Sequence, residues 1–216
     1  MDGYSVLRWF FRGVLRVGFG LEVTGAARIP AAGPAVLAVN HGSQIDPLVL
    51  AAAVPRRCTF LAAAELLTMP VLGALIRPFR VVPIERGRFD RRAIQECLAR
   101  LERGELLAIF PEGKISSNGD FHPPCDGLAF IAARARVPVI PIGIAGTYDV
   151  WPLGARLPRR GRIAVRIGEA FVPAEAPTRR DQSALTARVM DAIVRLSRGP
   201  VANQPDAEPA SLPLAG

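Results

Sequence analysis

The sequence predicts an α/β fold, with a mixed, largely parallel sheet flanked by helices and an amphipathic helix leading into it. Short apolar runs of strand length alternate with helical patterns along most of the chain. Half of the 216 residues are hydrophobic, enough to bury a full core in one α/β domain.

The first element lies at residues 3–20, where aromatic and aliphatic residues are interleaved with Arg8, Arg12 and Arg16. Arginines four apart line one side of a helix, leaving apolar side chains on the rest. Three charges within the segment argue against a spanning helix. Two placements fit: an interfacial helix with its apolar side in the acyl boundary, or a helix packed on the protein's own core. The large aromatics around most of the circumference favour the first. Asp2 in place of a basic start, with no small-residue cleavage site, reads against a cleaved signal peptide.

Strands are expected at residues 35–39, 58–62, 80–84, 106–110, 137–142 and 162–167. The clearest helix is 90–103, where Ile94, Cys97, Leu98 and Leu101 follow the i, i+3, i+4, i+7 spacing and Gly104 ends it. Further helices are expected at 129–136 and at 181–198, with Leu185, Val189, Ile193 and Leu196 inward and Gly199-Pro200 as a stop. Residues 66–76 are apolar but short and broken by Pro70, fitting an interfacial element or a buried helix alike. The resulting division is an interfacial helix and lead-in over 1–28, a main domain over 29–199 and a disordered, Pro- and Ala-rich tail over 200–216.

The net charge of +8 favours anionic partners, among them acidic membrane surfaces, phosphorylated substrates and nucleic acid. Nucleic acid fits poorly, because two tyrosines and two tryptophans provide no basic–aromatic stacking pattern and no recognised motif is present. Cys58, Cys97 and Cys125 form no C-x-x-C pair, so neither a zinc site nor a disulfide framework is expected, and a reducing compartment is the natural reading.

Four segments stand where strands end, the usual place for sites in α/β sheets. In Asn40-His41-Gly42-Ser43-Gln44-Ile45-Asp46, a histidine is followed five residues later by an aspartate. Histidine is the default general base at neutral pH, and a carboxylate on its far nitrogen would orient it and stabilise the imidazolium. The pair fits a helix cap equally well. No G-x-S-x-G elbow supplies a serine nucleophile, so the attacking hydroxyl would come with the substrate. The second segment, residues 79–87, carries Arg86 just past a strand, where a guanidinium can grip a phosphate by two parallel hydrogen bonds. In the third, Phe110-Pro111-Glu112-Gly113-Lys114-Ile115-Ser116, the glycine lets backbone approach a ligand, and the glutamate can order an arginine or bind a hydroxyl. The fourth, Val137-Pro138-Val139-Ile140-Pro141-Ile142-Gly143, reads as a buried strand.

In this order the four segments resemble the lysophospholipid acyltransferase family, which includes the 1-acyl-glycerol-3-phosphate acyltransferases. The resemblance runs from Pro30 to Phe171 and takes in Gly146-Thr147-Tyr148 and Trp151-Pro152. It implies the glycerolphosphate-acyltransferase-like α/β sandwich, with His41 as the base and Asp46 orienting it. Arg86 with the Glu112-Gly113 loop would hold the acceptor's phosphate. Acyl-CoA or acyl carrier protein would be the co-substrate, with no metal and no cofactor, and the acceptor a lysophospholipid, 1-acyl-glycerol-3-phosphate or another lysolipid or lipid-like alcohol. The enzyme would sit on the cytoplasmic face of a membrane, peripheral or monotopic. The chain departs from the family pattern in three places. Lys114-Ile115 stands for Thr-Arg, with Lys114 offering its charge one residue earlier; Ala64-Glu65-Leu66 stands for Lys-Glu-Leu; and Asp126 precedes Gly127 where a basic residue is usual. His122 has no counterpart in the pattern and reads as a surface-loop histidine.

Overall fold

The computed structural model describes residues 3–68, 79–85, 90–125 and 127–199. Among these described residues, seven strands form one sheet: β1 (Glu22–Thr24), β2 (Ala35–Val39), β3 (Cys58–Ala63), β4 (Val81–Ile84), β5 (Leu106–Ile109), β6 (Val139–Ala145) and β7 (Ala164–Ile167). Their order is β1-β7-β6-β2-β5-β3-β4, and every pairing is parallel except β6 with β7. The mixed, largely parallel sheet is therefore the one the sequence pattern implies.

β2 lies in the middle, and all five of its residues are buried, as a strand covered on both faces requires. Its side chains alternate between two cores. Ala35, Leu37 and Val39 face α1 (Gly3–Phe19) and α2 (Asp46–Ala53). Val36 and Ala38 face α4 (Arg91–Glu102), α5 (Gly127–Ala135) and α7 (Arg179–Arg198). α3 (Ala64–Thr68) and α6 (Thr147–Val150) are short turns of helix at strand ends.

Local chemistry sets the helix boundaries. Asp90 caps α4 by accepting from the Ala93 N–H at 2.9 Å. Arg136, at φ 55°, ends the turn after α5. α7 begins two residues before the expected start, because Thr178 and Asp181 form a reciprocal capping box. It then lies close over β6: a Cβ on Gly143 would come within 2.3 Å of the Ser197 backbone nitrogen, so only glycine fits there.

The lead-in is not separate from the domain. β1 precedes the division expected at residue 28 and pairs with β7, making it the edge strand of the sheet. α1 packs on the core with one side and leaves apolar side chains exposed on the other. Tyr4 and Leu15 are buried against the α2 side of the core, while Trp9 (75% exposed), Phe10 and Val17 (91% exposed) point outward. Of the segment at 66–76, residues 66–68 end α3, and the remainder lies outside the described residues, as do residues 200–216. No described helix is long and apolar enough to cross a membrane.

Candidate active site

Parallel pairing of β2 with β5, in register from Ala35↔Leu106 to Ala38↔Ile109, brings the segments that follow them side by side. The His41 ring stacks on Phe110, centroids 4.1 Å apart. The neighbouring strand β6 holds the segment from its other side. Beyond the end of β2, the Asn40 side-chain amide continues the ladder, donating to Ile144 O at 2.9 Å and accepting from Ile144 N–H at 2.7 Å. Asn40 thus anchors the residue before the histidine.

His41 and Asp46 meet. His41 Nδ1 lies 3.0 Å from Asp46 Oδ2, and the aspartate is fully buried at 0% exposure, with the His41 side chain at 11%. The same carboxylate oxygen accepts from the Ser43 N–H at 2.8 Å. The Ser43 hydroxyl in turn donates to the Trp151 carbonyl, pinning the loop to α6 and its exit. Asp46 is the first residue of α2, followed at once by Pro47, but the helix has no side-chain cap hydrogen bond, so the carboxylate serves His41 and the Ser43 N–H rather than the helix end. In the tautomer whose Nδ1 donates to the carboxylate, Nε2 is the nitrogen able to accept a proton, and His41 lines the cavity. Asp46 Oδ1 is buried with no hydrogen-bond partner, so the carboxylate's charge is left to act on the imidazole.

Glu112 departs from its expected role in holding the acceptor. It is 4% exposed, and its two oxygens accept the His41 N–H at 3.0 Å and the His122 N–H at 2.7 Å. A buried carboxylate committed to two backbone donors is a clamp on the chain. The Ser116 N–H donates to His41 O at 2.8 Å, so the loop after β5 grips the histidine's backbone on both sides. Gly113, at φ 67°, closes the turn by donating to Phe110 O at 3.0 Å. Lys114 is exposed and lines the cavity. Arg86 and Asp126 lie outside the described residues.

The cavity has a volume of about 1520 Å³, above the usual range for small-molecule pockets. It runs across the C-terminal ends of the strands, with Phe60 and Phe79 on one wall and Ile94 and Ile131 on another, and with His41, Lys114 and His122 among its polar members. His122, read from sequence as a surface-loop residue, is therefore in the site. Its segment is drawn inward by Glu112 and by the Cys125 N–H, which donates to Pro111 O at 2.8 Å. Nothing in the spacing of His122 from His41 signals this, because the connection passes through a third residue. Asn40 could have been found, since an amide directly after a buried strand is placed to prolong the ladder. Among the described residues, no group of three or more His, Cys, Asp or Glu could hold a metal ion.

Residues 20–145 match the Acyltransferase family. The chain belongs to the acyltransferase family. Human 1-acyl-sn-glycerol-3-phosphate acyltransferase beta is 29% identical over 190 residues, covering 86% of this chain and 68% of the relative. The human alpha enzyme is 31% identical over 184 residues, covering 84% and 65%. This acyltransferase thus spans about two thirds of the length of such relatives. Its fold is similar to the crystal structure of the 1-acyl-sn-glycerophosphate (LPA) acyltransferase PlsC from Thermotoga maritima, with a TM-score of 0.76, 25% identity, and coverage of 89% of this chain and 77% of that one.

Proposed function

We propose that this acyltransferase moves a fatty acyl group from a thioester donor, acyl-CoA or acyl carrier protein, to the free hydroxyl of 1-acyl-glycerol-3-phosphate, forming phosphatidic acid. The observation that carries the reading is the 3.0 Å contact between His41 Nδ1 and the buried Asp46, at the side of a long, largely apolar cavity. Relatives named for this reaction support the acceptor.

In the mechanism, His41 Nε2 takes the proton from the acceptor hydroxyl as its oxygen attacks the thioester carbonyl carbon. Asp46 stabilises the imidazolium that forms, and Ser43 N–H and Glu112 keep carboxylate and ring in register. The tetrahedral intermediate collapses with cleavage of the C–S bond, and His41 returns its proton to the departing thiolate. No acyl-enzyme is formed. The apolar walls would take the acyl chain, excluding water that would otherwise hydrolyse the thioester.

The reading places the reaction at a membrane surface. The outward side of α1 offers Val6, Trp9, Phe10, Val14 and Val17 to an acyl boundary. Arg8, Arg12 and Arg16 share one flank of the helix. Arg12 is held below the usual arginine range, by burial and then by the charges of Arg16 and Arg8. Anionic headgroups would relieve that crowding. A second reading keeps the chemistry with a different lysolipid acceptor. It is favoured by Ile115, an apolar side chain in the cavity where the family pattern has arginine.

The test supplies purified protein with labelled acyl-CoA or acyl carrier protein and a panel of lysolipids. Phosphatidic acid should form, and His41→Ala should lower kcat by about 10²–10⁴-fold. Failure to acylate any acceptor, or equal turnover by His41→Ala, overturns the proposal.

A further inference from the structure

The chain has two histidines, and the fold brings both to one cavity. We propose that His122 is a contact for the phosphate head of the acceptor, in the cavity that Lys114 and the base also line. This rests on the acceptor reading above and adds a residue to it.

Three observations support the assignment. The segment that carries His122 is held in place by its backbone, through Glu112 and through the Cys125–Pro111 hydrogen bond. Its neighbour Phe121 packs with the core of α4, α5 and α7, beneath the Arg198 guanidinium at 5.8 Å, while His122 lines the cavity. Adjacent side chains of this loop therefore serve opposite sides, one the core and one the site.

The third observation concerns charge. Ile115 lines the cavity and offers a phosphate nothing, and the Glu112 carboxylate is occupied by two backbone donors. Among the described residues of the loop after β5, the side chains that line the cavity and can donate an N–H to an anion are Lys114 and His122; Gln44 and, from α7, Arg179, Gln182, Ser183 and Thr186 line it as well. Glu85 and Asp90 line the cavity from β4 and the start of α4, where Asp90 is engaged by the Glu85 and Ala93 N–H groups. An imidazole N–H donates to a phosphate oxygen whether the ring is neutral or charged, and such charge-assisted bonds are the stronger kind. The same Glu112 carboxylate that fixes the base would also fix the head-group contact, setting the distance between reacting hydroxyl and phosphate.

The experiment compares wild type, His122→Ala and His122→Asn, varying lysophosphatidic acid and thioester donor separately, with sn-glycerol 3-phosphate as a competitive inhibitor. His122→Ala should raise KM for lysophosphatidic acid and Ki for glycerol 3-phosphate by about tenfold. kcat and the donor KM should stay within about twofold of wild type. His122→Asn, which keeps a donor, should recover part of the loss. The anchoring bonds come from the backbone, so thermal stability should be unchanged in both variants. Unchanged KM and Ki, or a loss confined to kcat, overturns the assignment of His122. If wild type forms phosphatidic acid and His122→Ala matches it, only this inference falls. If wild type forms none, the acceptor reading falls first and takes this inference with it.

Discussion

Replacing Glu112 by glutamine separates a backbone clamp from an acceptor contact. The glutamate takes two backbone N–H groups, from His41 at 3.0 Å and from His122 at 2.7 Å, on two oxygens in a site 4% exposed. Glutamine has one oxygen and one NH2, so one of the two donors must face another donor. Losing a charge-assisted bond and leaving a buried N–H unpaired costs about 2–4 kcal/mol, taking the lower half of each range because the two effects overlap. For a chain of this size, Tm should fall by roughly 4–16 °C. The His41 backbone would shift relative to Asp46, and a displacement on the order of 1 Å can reduce turnover about 10²-fold. Steady-state kinetics at a temperature well below Tm, with thermal unfolding in parallel, should therefore show kcat and Tm falling together, and the acceptor KM rising with them because His122 loses the same anchor. A raised acceptor KM with kcat and Tm intact would refute the clamp and restore Glu112 as an acceptor ligand.

Asn40→Ala should destabilise the fold by about 2–4 kcal/mol in denaturant unfolding, because it strips partners from both the N–H and the C=O of buried Ile144; a change below about 0.5 kcal/mol would contradict the ladder role. In native protein, iodoacetamide should label Cys125, which is exposed in the cavity, and leave Cys58 and Cys97, whose thiols burial pushes up to about 12. Mass spectrometry reads the site, and loss of activity should track Cys125 labelling. Trp9→Ser combined with Phe10→Ser should weaken binding to anionic vesicles by roughly 10²-fold without lowering Tm, since both side chains are largely exposed. Unaltered flotation with vesicles would show that α1 does not carry the membrane contact.

Much of the sheet was legible because a strand buried on both faces must be apolar throughout. Residues 35–39 were read with both ends correct, and the strands at 58–63, 81–84, 106–109 and 164–167 to within two residues at each end. β1 was not, because three residues paired at an edge carry no periodicity of their own. The early start of α7 was missed because its cap lies outside the apolar pattern, in Thr178. α1 was ambiguous for a physical reason: it is apolar on two sides, of which one packs on the core and the other is exposed.

The order of the chemistry-bearing segments, the resemblance to the acyltransferase family and the candidate His41–Asp46 pair were legible in the sequence, but the five-residue spacing fitted a helix cap equally well, and only the fold brings the two side chains to 3.0 Å. The tertiary structure alone decided the rest. That Glu112 serves the backbone, that Asn40 extends the ladder and that His122 enters the cavity depend on strands β2, β5 and β6 lying side by side. Hydrogen bonds between segments distant along the chain obey the geometry of strand pairing, and no local pattern of residue types encodes it.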